Sequence, residues 1–187
     1  MKVKIGISAR HVHLSEEDFK ILFPNETLNF MKEMSQKPNF VSDKKVTLRF
    51  NDKEINNVTV VGPFRNKTQV ELSKTDCHFF KINAALANSN DLTNASKIQI
   101  INGKNMIERN AVIIQNRHIH MNEKDALEYG FKNDQIVKVK IDTIKGGILY
   151  NVHIKTGKEF ITELHLDTDD ANAFLIDSSV EGEIIND

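Results

Sequence analysis

Four histidines, in two short copies of one pattern, are the residues of this chain best suited to chemistry. Arg10-His11-Val12-His13 and Arg117-His118-Ile119-His120 each place two imidazoles at positions i and i+2. On an extended strand those positions face the same way, with Cα atoms about 6.5 Å apart, so both rings can reach one ion or flank a pair. Neutral imidazole suits zinc and other borderline metals. A single His-x-His reads as ordinary polar surface. Two copies, each preceded by arginine at the same offset, argue for a shared task. Two further side chains can complete the donor set. Glu71 lies on a short alternating run, where by default it is a solvated strand carboxylate. His165 stands just ahead of the acidic turn Asp167-Thr168-Asp169, which can cap a helix. The six donors His11, His13, Glu71, His118, His120 and His165, shared between two ions, leave fewer than four per ion. Open coordination positions mark a catalytic rather than a closed structural centre. His78 and His153 fall in no such pattern and read as surface or packing residues.

The turn Val61-Gly62-Pro63-Phe64-Arg65-Asn66-Lys67-Thr68-Gln69 offers the other reactive feature. Glycine and proline stiffen it, and the planar fork of Arg65 matches a phosphate or carboxylate. Lys67 adds charge. Read locally, both are also ordinary solvated loop cations. Arg10 and Arg117 point away from the histidine that follows each, so bracing an acidic partner fits them as well as a ligand role. Cys77, flanked by Asp76 and by Phe79-Phe80, has no electropositive neighbour to favour its thiolate, which argues against a nucleophilic role.

The elements that must carry these groups repeat. An offset of 107 residues aligns Ile7 with Ile114, both Arg-His-x-His motifs, Glu16 with Glu123 and Asp18 with Asp125. Each copy reads as strand, tight turn and short helix, with Ser15 or Asn122 as N-cap and an aspartate at the positive end of the helix dipole. Further helices are expected over about 28–36, 74–80 and 167–174. Strands are expected from Lys2, over 46–50, 57–61 and 69–72, and over 97–101 with a hairpin at Asn102-Gly103, then over 136–141 and 148–154. The fold class expected is mostly β with short α-helices: two similar small β-barrel domains related by the internal repeat, with the metal site between them. The domains expected are 1–100, with the first motif, Arg65 and Glu71, and 101–187, with the second motif and His165. The excursion 25–42 reads as a lid or an interface.

Composition narrows the partners. The chain has 187 residues, 40% hydrophobic and 27% charged, with a net charge of −1. That balance lacks the basic excess of a nucleic-acid surface. No apolar run approaches the ~18 residues of a membrane-spanning helix, and the N-terminus has no signal-peptide core. A lone cysteine cannot form an internal disulfide, which fits a reducing cytoplasm. Richness in Asn, Lys and Ile is associated with AT-rich bacterial genomes.

Four segments together resemble the PduL-type phosphate acyltransferases (phosphotransacylases). They are Ile7-Ser8-Ala9-Arg10-His11-Val12-His13-Leu14-Ser15; Gly62-Pro63-Phe64-Arg65 with Thr68 to Asp76; Asn116-Arg117-His118-Ile119-His120-Met121; and His165-Leu166-Asp167-Thr168-Asp169-Asp170-Ala171-Asn172-Ala173. They span nearly the whole chain in the family's order. The resemblance implies two β-barrel domains with a dinuclear zinc site, hence two zinc ions per chain. His11, His13 and Glu71 would serve one zinc, and His118, His120 and His165 the other. Arg65 would bind phosphate and act catalytically, while Ser8 and Asn172 would lie near the CoA. The implied reaction converts a short-chain acyl-CoA, acetyl or propanoyl, and phosphate reversibly into acyl phosphate and CoA. Two departures stand out: Asp170 replaces the more usual Glu, and 83–104 lacks the Gly- and Pro-rich character of the family.

A zinc-dependent hydrolase of an ester or phosphate is the rival reading of the same histidines, and a metal- or CoA-binding module the non-enzymatic one. Some family members carry an N-terminal extension that directs them to bacterial microcompartments. Here the first strand is expected from Lys2, so a cytoplasmic enzyme without such an extension is expected. A homodimer is compatible with this reading, though no residue argues for it.

Overall fold

A computed structural model describes residues 1–177 and 179–185. The first half of the chain runs β1 (Lys2–Ser8), β2 (His11–His13), α1 (Glu16–Leu22), β3 (Phe30–Glu33), β4 (Phe40–Phe50), β5 (Lys53–Gly62), β6 (Gln69–Glu71), α2 (Lys74–Phe80), β7 (Ala85–Ala87) and β8 (Ser96–Asn102). The second half runs β9 (Asn105–Gln115), β10 (His118–Asn122), α3 (Glu123–Tyr129), β11 (Ile136–Ile141), β12 (Gly147–Gly157), β13 (Glu163–Asp167), α4 (Thr168–Ala173) and β14 (Glu181–Ile185).

The strands form two closed six-stranded barrels. One closes in the order β1-β13-β10-β12-β11-β14. The other closes as β4-β5-β2-β6-β9-β8, because β8 bonds to both β9 and β4. Closure pairs the backbone donors and acceptors that an open sheet would leave at its edges. The two barrels share one plan. β2 lies parallel to β5 and antiparallel to β6, just as β10 lies parallel to β12 and antiparallel to β13. β9 runs parallel to β6 as β1 does to β13. Each barrel fills its own apolar core. Leu14, Leu48, Val60, Phe80, Ile98 and Val112 anchor one; Ile119, Met121, Val139, Leu149, Ile154 and Leu164 anchor the other.

The compact units are 10–115 and, in two pieces, 1–9 with 116–187; below they are the N-terminal and C-terminal barrels. This differs from a single cut near residue 100. The sequence repeat does turn over at the Asn102-Gly103 hairpin, where Gly103 takes φ +57°. However, the first strand of each repeat bonds into the barrel of the other. β1 pairs with β13 and β14 and buries Val3 among the C-terminal apolar residues. β9 pairs with β6, β7 and β8. Ladder hydrogen bonds, rather than nearness along the chain, decide where a strand belongs, and local patterning does not display them.

The N-terminal barrel is also the longer. An offset of 107 carries His11 onto His118, an offset of 94 carries Glu71 onto His165, and an offset of 84 carries Ile100 onto Ile184. The shrinking offset marks extra residues in the first repeat, which form β3 and β7, strands with no C-terminal counterpart. Where a helix was expected over 28–36 the chain makes β3 instead. Phe30 and Met31 are more than 60% exposed, so no apolar stripe at helical spacing is buried there. β4 takes up its backbone bonds instead. Three helices begin at the caps expected, Ser15, Asn122 and the acidic turn at Asp167, and α2 begins at Ser73. Ser15 and Ser73 accept from the N–H groups of Asp18 and Asp76, Asn122 from Lys124 and Asp167 from Asp170.

Candidate metal centre

In the N-terminal barrel, β2 and β6 are antiparallel with His11 opposite Glu71 and His13 opposite Gln69. This register turns His11, His13 and Glu71 together, and one donor atom from each lies within 4.8 Å of the others. Glu71 is only 7% exposed, so it is not the solvated carboxylate of the default reading. His11 Nε2 stands 3.2 Å from His13 Nε2 and 3.5 Å from a Glu71 oxygen. His13 Nδ1 meets the carbonyl of Val61 at 3.2 Å. A carbonyl only accepts, so Nδ1 carries the proton and Nε2 keeps its lone pair, as a metal ligand requires. Burial holds the His13 pKa well below its ordinary value, and the charges of His11 and Arg65 lower it further. A buried neutral imidazole beside a buried carboxylate is a donor set that zinc accepts.

The C-terminal barrel repeats the arrangement with one exchange. His118 stands opposite His165 across β10 and β13, where the other barrel has His11 opposite Glu71. The rings of His118, His120 and His165 pack with centroids 4.7 to 5.1 Å apart. Burial, helped by the Lys155 and His165 charges, pushes His118 down to about 2 and His120 to about 3, so both are neutral at ordinary pH. His118 Nδ1 meets the carbonyl of Asn116 at 2.9 Å, again leaving Nε2 as a lone pair. Among the described residues, buried His120 Nδ1 and His165 Nε2 have no hydrogen-bond partner. Glu163 comes to 2.9 Å of His165 Nε2 as an ion-pair contact without hydrogen-bond alignment. Clustered imidazoles with orphaned nitrogens suit a bound cation better than a water-free core. Phe160 stacks on His120 with centroids 4.4 Å apart and covers one side of it.

Arg65 is the cation placed beside the N-terminal cluster. Its backbone N–H donates to the carbonyl of Leu14, which ties the 62–68 loop to the end of the first motif. Its Nη2 reaches His13 Nε2 at 2.7 Å and its Nη1 the Ser89 hydroxyl at 2.8 Å. Burial lowers its pKa from the ordinary value, and the Glu71 charge opposes that shift. Gly62 keeps the loop close: a Cβ there would sit 2.3 Å from the Phe40 ring.

Arg10 and Arg117 take the bracing role. Each forks onto an aspartate in the first turn of a short helix, Asp76 and Asp170 respectively, with shortest contacts of 2.7 and 2.6 Å. Asp170 thus supplies the carboxylate that pairs with Arg117. Cys77 is fully buried, which removes it as a nucleophile. His78 is exposed, and His153 lies beside His118 in register without joining the cluster. Ser8 pairs with Asp167, the residue capping α4, and Asn172 is exposed on that helix. Gln69, Ser89 and Asn90 were not singled out from sequence. Gln69 was findable, since it shares a strand face with Glu71 at i and i+2. Ser89 and Asn90 follow β7 and carried no local signal.

The chain is a double-barrel β protein with matched His-x-His strands, each backed by a third candidate donor. Residues 4–177 match the family model for phosphate propanoyltransferase. The chain is 37% identical over 187 residues to a phosphate propanoyltransferase of Alkaliphilus metalliredigens, covering 99% of this chain and 88% of that one. It is 39% identical over 178 residues to one of Thermotoga maritima, covering 93% and 84%. With one of Levilactobacillus brevis the identity is 32% over 185 residues, covering 98% and 89%. The chain belongs to the phosphate propanoyltransferase family and is an acyltransferase. Among the described residues no helix is long and apolar enough to cross a membrane.

Proposed function

We propose that this acyltransferase exchanges the CoA of a short-chain acyl-CoA, acetyl or propanoyl, for inorganic phosphate, giving acyl phosphate and free CoA reversibly. The observation that carries the reading is the Arg65 guanidinium 2.7 Å from His13, beside the cluster of His11, His13 and Glu71. Phosphate is a weak nucleophile until it is held and aimed. Arg65 is the group that binds and orients it, and so is the catalytic residue. A phosphate oxygen forms a bond to the thioester carbonyl carbon, the C–S bond breaks, and its electron pair leaves with sulfur as the CoA thiolate.

His11, His13 and Glu71 would hold one zinc and His118, His120 and His165 another, two per chain. When bound, zinc supplies Lewis acidity toward the carbonyl oxygen and a soft partner for the thiolate. With Cys77 buried, no side-chain thiol is available for a covalent acyl-enzyme. Ser8 and Asn172, brought to one end of the C-terminal barrel by β1 and α4, are assigned to CoA. The lone buried thiol and the metabolite substrates suit the cytoplasm as the place of action.

The test is CoA release from acetyl-, propanoyl- and butanoyl-CoA, with and without phosphate, beside a metal analysis. Phosphate-dependent release with acyl phosphate as product, and about two zinc per chain, is expected. Free acid at a phosphate-independent rate would replace the transferase by a zinc hydrolase.

A further inference from the structure

We infer that Gln69 is a positioning residue that locks the Arg65 guanidinium to the Glu71 carboxylate through the Ser89-Asn90 turn; the inference rests on the phosphate-binding role proposed for Arg65. Its amide lies at the centre of a small network. The backbone N–H of Asn90 donates to Gln69 Oε1 at 2.7 Å. An amide N–H can only donate, so this contact fixes which end of the Gln69 amide is which. Nε2 therefore faces the other way, where it donates to Glu71 Oε1 at 2.6 Å and to Ser89 Oγ at 3.1 Å. Ser89 Oγ also accepts from Arg65 Nη1 at 2.8 Å, and Asn90 Oδ1 lies 3.4 Å from the same nitrogen. One neutral amide thus contacts the carboxylate of the candidate metal cluster and the turn that grips the arginine. Gln69 is 1% exposed, and its bond to Glu71 is buried away from bulk water.

The comparison with the C-terminal barrel supports a specific rather than a general role. The offset that carries Glu71 onto His165 carries Gln69 onto Glu163 and Arg65 onto Glu159. Glu163 keeps the i, i+2 contact, a carboxylate facing an imidazole where Gln69 is an amide facing a carboxylate. Glu159 is exposed. Among the described residues, only the barrel with the arginine has the extra strand β7, which delivers Ser89 and Asn90 beside it. Asn90 sits at φ +74°, a conformation for which asparagine is among the better-suited residues. Pinning a long, flexible guanidinium in advance removes rotamer entropy that phosphate binding would otherwise have to supply.

The experiment compares Gln69→Leu, Ser89→Ala and Ser89→Thr in the metal-loaded full chain and in an Arg65→Ala background. The readouts are kcat, the KM for phosphate, the KM for acyl-CoA and the metal content. Gln69→Leu and Ser89→Ala are expected to raise the phosphate KM about tenfold, the scale of one lost buried hydrogen bond, with acyl-CoA KM and metal content unchanged. Ser89→Thr, which keeps the hydroxyl, is expected to restore the wild-type phosphate KM. In the Arg65→Ala background Gln69→Leu and Ser89→Ala are expected to have no further effect, because the residue they position is gone. The clamp is overturned if both single variants keep a phosphate KM within about twofold of wild type, or if their losses add to that of Arg65→Ala. Either result leaves the acyl-transfer reading standing. A wild-type enzyme that releases CoA at the same rate without phosphate overturns that reading and the clamp with it.

Discussion

The two barrels are one plan carried out twice, and they differ around their histidine clusters. Both braces are kept: Arg10 on Asp76 and Arg117 on Asp170. So are the links from the motif strand to the loop before the third donor, Ser15 to Thr68 and Asn122 to Thr162. At the donor cluster they diverge. The N-terminal barrel offers two imidazoles and a carboxylate beside an arginine, whereas the C-terminal one offers three imidazoles beside a phenylalanine. A cationic, hydrogen-bonding wall suits an anion, while a ring-stacked wall suits an apolar group. The barrels share what holds each motif strand in place and differ in the groups around it.

The sharpest way to break this comparison is to remove the arginine that only one barrel has. Arg65→Ala is expected to cut kcat/KM about 10²–10³-fold, the usual scale for losing one preorganised charge-stabilising donor. Fold and zinc content should stay normal. Near-normal turnover in that variant would end the division of labour between the barrels. Next comes the donor exchange. Glu71→Ala and His165→Ala are each expected to remove roughly one metal equivalent and to leave the other in place. Loss of both ions from either variant would show that the two trios do not load independently.

The shared braces should respond alike. Arg10→Ala and Arg117→Ala strip the partner from an aspartate that is largely buried, at about 1–3 kcal/mol each, kept at the low side of the buried-pair range because both arginines are partly exposed. Chemical denaturation of the metal-free variants measures it. A large effect in one barrel and none in the other would contradict the common plan.

Stability should also depend on pH. His118 and His120 stay neutral in the folded chain down to about 2 and about 3, while an unfolded histidine takes up its proton near pH ~6.5. Between those limits the unfolded state binds more protons, so the metal-free protein should lose stability as pH falls below ~6.5. Urea midpoints at neutral and mildly acidic pH read it directly. His118→Gln should flatten the slope; an unchanged slope would mean that the C-terminal cluster is not the source.

Much of this was legible in the chain. Side-chain alternation with a period of two exposed the strands, and the repeat offset showed that one unit is built twice. The caps and acidic first turns announced themselves because their partners lie within a few residues, whereas the aspartates that the motif arginines brace lie 66 and 53 residues away and were not legible. Histidine pairs at i and i+2 must share a strand face, so the donors could be named before any fold was known. What the chain could not display is everything that depends on partners far apart in sequence. That β1 and β9 each complete the barrel of the other repeat follows from ladder hydrogen bonds across most of the chain. That Glu71 and His165 are the same position in two barrels follows from register. That Arg65 is held and not merely solvated follows from Ser89 and Asn90, on a turn with no local signature. Local patterning reports what each residue prefers to face; only the closed barrels decide which residues it meets there.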